Sequence, residues 1–202
     1  MQGGCFMKYV VVRAEKPDWS AIDAVELVHQ PWLAPCDITA KAQLCHDGEN
    51  LYVRMETKEK NIRATLTGML DAVCCDSCME FFFAPDMQDV RYFNFEWNKL
   101  CSLNLGFGAQ RHTRVRQIVK KPQETFMPKS FDTADGWGIE YRIPLDFIRL
   151  YMPSFEFKGE AACNFYKCGD ETEIPHYLAW APLTSEKPDY HRRQDFGMLV
   201  FE

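Results

Sequence analysis

The chain has 202 residues, 47% of them hydrophobic, which suits one domain with a sizeable core. Its formal net charge of −6 argues against nucleic acid as a partner, because phosphate binding needs a basic surface. No stretch approaches the roughly 18 consecutive apolar residues of a membrane helix, so no membrane partner is expected.

At the start, residues 1–9 lack the long apolar core of a signal peptide, and Met7 competes with Met1 as the true first residue. Nine cysteines, an odd number without a framework, then predict reduced thiols and a cytoplasmic location; an exported protein would have to have lost a leader. Residues 9–13 read as a strand. Residues 19–28 carry apolar side chains at helical spacing. Residues 41–45 and 51–57 read as strands flanking a turn at His46-Asp47-Gly48-Glu49-Asn50. Residues 78–83 and 91–97 form the next strand pair around Pro85-Asp86-Met87, followed by 102–105. The basic cluster from Arg111 to Lys121 is interrupted by Thr113, Val115, Ile118 and Val119, and predicts a strand over 113–119 with a charged outer face. Strands follow at 137–143, 161–166, 176–180 and 198–201, with a short helix over 145–151 behind Pro144, a good first-turn residue. Many short strands and few helices predict an all-β fold, a single β-sandwich or jelly roll over residues 1–202.

The strands alternate cleanly. Phe93, Phe95 and Trp97 share one face, and Tyr92, Asn94, Glu96 and Asn98 the other. Phe81 and Phe83 join the apolar face, with Glu80 opposite. Trp137, Ile139 and Tyr141 face inward, and Glu140 and Arg142 outward. If several of these strands are neighbours, one polar surface carries Arg54, Glu80, Glu96, Arg142, Asn164 and Tyr166. Such a set can chelate vicinal hydroxyls. The plainer reading is a salt-bridged face in solvent.

Other chemistry is less well supported. Cys75 and Cys78 form one C-x-x-C without a matching second, so no zinc and no other cofactor is expected. The five histidines show no metal spacing. Glu80 with Glu96 could serve a glycoside hydrolase, although hydrolysis needs the two carboxyls on opposite sides of a scissile bond. Tyr190, in the loop before the last strand, can stack on the apolar face of a sugar ring while nearby polar groups bond its hydroxyls. Replacing Tyr190 with Ala should then weaken binding and leave stability unchanged.

An ordered set of segments resembles the family 9 carbohydrate-binding modules. These are Asn50-Leu51-Tyr52-Val53-Arg54, Asp76-Ser77-Cys78-Met79-Glu80-Phe81-Phe82, Tyr92-Phe93-Asn94-Phe95-Glu96-Trp97-Asn98, Trp137-Gly138-Ile139-Glu140 with Ile143-Pro144, Asn164-Phe165-Tyr166, Trp180-Ala181-Pro182 and Phe196-Gly197. The resemblance implies a β-sandwich of the DOMON-like type and non-catalytic binding of a saccharide or glycan end in carbohydrate catabolism, alongside glycoside hydrolases. It places Glu80, Glu96, Asn164, Tyr166 and Tyr190 at the site, with Arg54 and Arg142 as supporting charges. A second aromatic platform is expected six residues before Glu80, where this sequence has Cys74. The resemblance also brings structural calcium, for which Asp132, Asp135 and Asp170 are loop carboxylates, and a haem-binding alternative, for which no C-x-x-C-H motif is present.

Overall fold

The computed structural model describes residues 7–202; residues 1–6, with Cys5 and the alternative start at Met1, lie outside the described part. In chain order the elements are β1 (Lys8–Arg13), β2 (Val25–Glu26), β3 (Thr39–His46), β4 (Asn50–Lys58), β5 (Cys78–Ala84), β6 (Tyr92–Asn98), β7 (Leu103–Gly108), β8 (Val115–Arg116), α1 (Pro122–Phe126), β9 (Lys129–Thr133), β10 (Gly136–Pro144), α2 (Leu145–Arg149), β11 (Gly159–Cys168), β12 (Tyr177–Ala179) and β13 (Gly197–Phe201). The strands run in the order β8-β7-β6-β5-β11-β13-β1-β3-β4-β10-β9, with β12 beside β11 and β2 beside β3.

One short strand joins the two layers of this sandwich. Lys8 to Val11 of β1 pair with β13, while Val12 and Arg13 pair with β3. The sheet therefore folds over at β1 and packs on itself. Phe81, Phe83, Phe93, Phe95 and Trp97 from the first layer meet Trp137, Ile139 and Tyr141 from the second, and all eight are buried as their alternation predicts. Among the described residues no helix is long and apolar enough to cross a membrane.

Three expectations need correction. Residues 19–28 form no helix; they are a turn leading into β2, whose Val25 and Glu26 pair with β3. Helical spacing over ten residues was outweighed by an open edge on β3. Only Val115 and Arg116 of the expected strand 113–119 are extended in a ladder, because the preceding residues fold back over β7. Finally, the polar faces of β5 and β6 are not in solvent. Every residue of both strands is buried. A second apolar cluster covers that side, in which Phe82, Tyr92, Tyr166, Tyr190 and Phe196 pack together.

Candidate functional site

The site is built on a row of residues crossing four strands. Cross-strand register puts Tyr166 of β11 beside Glu80 of β5, Glu80 beside Glu96 of β6, and Glu96 beside Asn104 of β7. Directly opposed side chains in an antiparallel pair point to the same face about 5 Å apart. The two carboxyls are thus neighbours on one floor. Above them lies a cavity of about 210 Å³. Its walls include Trp32, Cys74, Tyr177, Tyr190, Arg111, Arg114 and His191.

The carboxyls are held differently. Glu96 accepts hydrogen bonds from Asn94 Nδ2 at 2.6 Å and Asn104 Nδ2 at 2.7 Å. Arg116 in turn donates to Asn104 Oδ1 at 2.8 Å and to the Leu70 carbonyl, which locks the amide. Glu80 accepts from the Cys168 thiol at 3.0 Å. Burial raises the pKa of both carboxyls, and for Glu80 the adjacent Glu96 raises it further, well above the usual carboxylate range. Both carboxyls therefore hold a proton to higher pH than an exposed carboxyl does.

Loops bring in the remaining walls. The segment that carries Cys74 is tied down by Asp76, which accepts from the Thr65 and Leu66 N–H groups at 2.8 and 2.9 Å and pairs with Arg63. Burial alone would raise the Asp76 pKa; those hydrogen bonds outweigh it and hold the carboxyl below its ordinary value. Trp32 sits at φ 72°, a left-handed conformation in which a bulky aromatic is strained. Its indole Nε1 donates to the Ser185 carbonyl at 2.8 Å, and its ring lies 5.2 Å from Tyr177 and 5.4 Å from Tyr190.

Of the residues expected at the site, Glu80, Glu96 and Tyr190 line this one cavity. Arg54 and Arg142 do not. They sit on β4 and β10, in the other layer, where Arg54 pairs with Glu56 and Glu140 and stacks over Phe131 at 4.4 Å. Arg142 donates to the Thr125 carbonyl at 3.3 Å. Alternation assigned both arginines to an outward face correctly but could not say which layer that face belongs to. Asn164 is also structural: its amide donates to the Ala181 carbonyl and accepts the Ala181 N–H, closing a backbone-like pair. Tyr166 lies beneath the wall, fully buried, with its ring stacked on Tyr190 at 3.9 Å and 8° and its hydroxyl donating to the Tyr190 carbonyl.

Tyr190 itself differs from an exposed platform. It is 8% exposed, one ring face is covered by Tyr166, and its hydroxyl donates to the Lys167 and Leu178 carbonyls. Tyr190→Ala would remove a packed core ring, so stability is expected to fall by about 3–5 kcal/mol rather than stay unchanged. Thermal denaturation of the variant checks this. Cys74 is on the cavity wall and offers no ring. Trp32 and Tyr177, both half-buried, bring aromatic surface there instead. Sequence reasoning missed Trp32 because a loop residue has no periodic partner. The one available signal was a Trp flanked by Pro31 and followed by Pro35 in an irregular stretch.

Among the described residues, Cys78, Glu80 and Cys168 converge within 4.8 Å of one another. Two thiols and one carboxyl do not fit calcium, which takes oxygen ligands. Asp132 pairs with Lys99 and Asp170 lies on the cavity wall, so the loop carboxylates do not gather either. The eight described cysteines carry free thiols.

Solved structures resemble this architecture. A putative carbohydrate-binding protein from Bacteroides uniformis is 26% identical, covers 98% of this chain and 100% of its own, and superposes with a TM-score of 0.85. A family 9 carbohydrate-binding module from Caldicellulosiruptor kristjanssonii in complex with glucose is 13% identical, with 97% of this chain and 96% of that one covered and a TM-score of 0.68. The module from the same organism in complex with cellotriose gives 13% identity, 96% and 93% coverage, and a TM-score of 0.65. No curated protein matches the chain. Carbohydrate-binding family 9 itself matches residues 8–201, essentially all of the described sandwich, and the chain belongs to that family as a carbohydrate-binding domain.

Proposed function

We propose that the cavity over Glu80 and Glu96 binds one sugar residue, at a glycan end or free, without cleaving it. The observation that carries this reading is the row Tyr166, Glu80, Glu96, Asn104 lying under aromatic walls. A pyranose presents paired hydroxyls at its edge and an apolar patch on its face. Glu80 and Glu96 can accept from hydroxyls, and a carboxyl that keeps its proton can donate to one, while Trp32 and Tyr177 bring aromatic surface to the ring. The side chains are already fixed by Asn94, Asn104, Arg116 and Cys168, so little ordering cost remains for binding.

The non-catalytic reading is supported by the carboxyl geometry. Glu80 and Glu96 are side by side on adjacent strands of one floor. A glycosidase places its two carboxyls on opposite sides of the scissile bond. A reducing-sugar assay over a broad polysaccharide panel should show no release; product formation would overturn this part of the reading.

Affinity for a neutral monosaccharide is expected at about 0.1–1 mM, roughly −4 to −5.5 kcal/mol. Trp32→Ala should weaken it by about fivefold, the worth of one stacking contact near 1 kcal/mol. Calorimetric titration with glucose and cello-oligosaccharides measures this. Unchanged affinity in Trp32→Ala, with wild type binding, would move the sugar away from this wall. No heat from any sugar in a wide panel would remove the proposed site.

A further inference from the structure

The basic cluster beginning at Arg111 forms only a two-residue strand, β8, whose residues are both exposed. It folds over β7 and supplies one wall of the cavity. Two glycines of β7 make room for it. A Cβ on Gly106 would come within 2.5 Å of Asn94 Oδ1 and 2.8 Å of Arg114 Nε, and one on Gly108, at φ 159°, within 2.5 Å of Arg114 Cα. Arg111, Arg114 and Arg116 all reach the cavity. Arg116 is already used, since it holds Asn104 and the Leu70 carbonyl.

Neither of the other two guanidinium groups has a carboxylate at hydrogen-bond distance, although Arg111 Nη1 donates to the Pro188 carbonyl at 3.4 Å. Arg114 Nη2 lies 3.9 Å from Glu96 Oε1, and Arg111 Nη1 lies 3.8 Å from Asp189 Oδ1. Both separations exceed a hydrogen bond. Arg114 Nη1 donates to the Arg111 carbonyl at 2.7 Å, which fixes its direction, while its Nε is buried without a partner. Arg114 is only 12% exposed along its side chain, so water does not solvate this charge freely. The carboxylates nearby do not answer it. Glu96 is engaged by two amides. Asp189 Oδ1 accepts the His191 N–H at 3.1 Å. Burial raises the pKa of Asp170, and burial together with Glu96 raises that of Glu80. At the same cavity the His191 imidazole, bonded to the Tyr92 hydroxyl at 2.9 Å, is driven neutral: burial, then Arg114 and Arg111, push its pKa down to about 2.

We infer that this cavity selects an anionic sugar, a ring bearing a carboxylate or a sulfate, which Arg114 and Arg111 read while Glu80 and Glu96 hold the hydroxyls. The inference rests on the sugar-binding reading above and names the ligand class within it. A neutral sugar leaves the Arg114 head, largely shielded from water, weakly paired, which is costly, while Arg111, 51% exposed, stays solvated at the rim. A carboxylate or sulfate offers the planar or tripodal acceptors that a guanidinium fork grips in pairs. Carboxylate and sulfate share this chemistry and are separated by experiment.

Matched titrations test it on wild-type protein: glucuronate against glucose, galacturonate against galactose, and glucose 6-sulfate against glucose. At least one anionic sugar should bind about tenfold tighter than its neutral partner, with the ratio shrinking at high salt. A preference confined to the uronates assigns a carboxylate, and one confined to glucose 6-sulfate assigns a sulfate. Arg114→Gln and Arg111→Gln should each bring the ratio toward one, with melting curves confirming that the variants fold. Equal binding of every neutral and anionic pair would overturn the inference and leave the sugar-binding reading standing. Inorganic sulfate or acetate binding as tightly as the charged sugars would also overturn it, because the site would then recognise an anion alone. Absence of binding by both neutral and charged sugars would instead remove the sugar-binding reading, and the inference with it.

Discussion

Phe95→Ala is expected to lower the free energy of unfolding by about 3–5 kcal/mol, the usual cost of emptying a large aromatic site in a core. Phe95 is fully buried at the centre of the sandwich. Its ring lies 5.6 Å from Phe126 and 6.2 Å from Tyr141, so it touches α1, β10 and its own layer at once. Few neighbours can collapse into the space, because Phe93 and Trp97 are held on the same strand by the ladder to β5 and β7. Denaturant midpoints of wild type and variant measure the loss. A midpoint unchanged by the substitution would mean that β6 is shifted by one residue, which would also turn Glu96 away from the cavity.

Lys167→Met is expected to cost a similar amount, about 3–5 kcal/mol, by leaving Glu59 buried without its cation. Glu59 ties the two layers together at one end. Its carboxylate lies 3.1 Å from Lys167 Nζ of β11 and accepts from Ser77 Oγ at 2.8 Å and from the Trp137 indole of β10 at 3.2 Å. Lys167 also donates to His176 Nε2 at 2.6 Å, which leaves Nδ1–H to donate to the Ile174 carbonyl at 2.7 Å. Lys167 and Glu59 are both buried, so solvent does not screen the loss. Chemical denaturation of Lys167→Met would disprove the role if its stability matched wild type.

The same network gives a pH dependence. Burial, and then the neighbouring Lys167 charge, lower the His176 pKa from 6.5 to about 4. A folded pKa below the unfolded one means that the neutral imidazole contributes stability above pH 6.5, lost as pH falls toward about 4. His176→Gln should therefore flatten the fall of melting temperature across that window. Parallel profiles for the two proteins would show that His176 is not held neutral.

The sandwich was legible in the sequence because its signal is local. Alternation along 91–97 and 137–143 decides which side chains face inward whatever the partner strand, and Phe93, Phe95, Trp97, Trp137, Ile139 and Tyr141 are all buried accordingly. The weaker elements were less legible for the same reason. A helix over 19–28 rested on ten residues of spacing, too few to hold a helix alone, and an unfilled edge on β3 took part of that segment as β2. That Gly106 and Gly108 belong to β7 and leave the space into which Arg114 folds was not legible locally.

What the chain by itself determined, then, is the parity of each strand and the apolar surface available for a core. Which polar residues meet was decided only by tertiary structure. Glu80, Glu96, Arg54 and Arg142 share the same outward parity, yet the strand order β7-β6-β5-β11 gathers the first two on one floor and leaves the arginines across the sandwich. Trp32, Arg111, Arg114 and Tyr190 reach the cavity from loops with no period at all. Period two is a property of a single backbone, whereas sheet order and loop docking depend on contacts between segments far apart in the chain. Those contacts form because burying both faces of β5 and β6 removes more apolar surface from water than a one-sided sheet would.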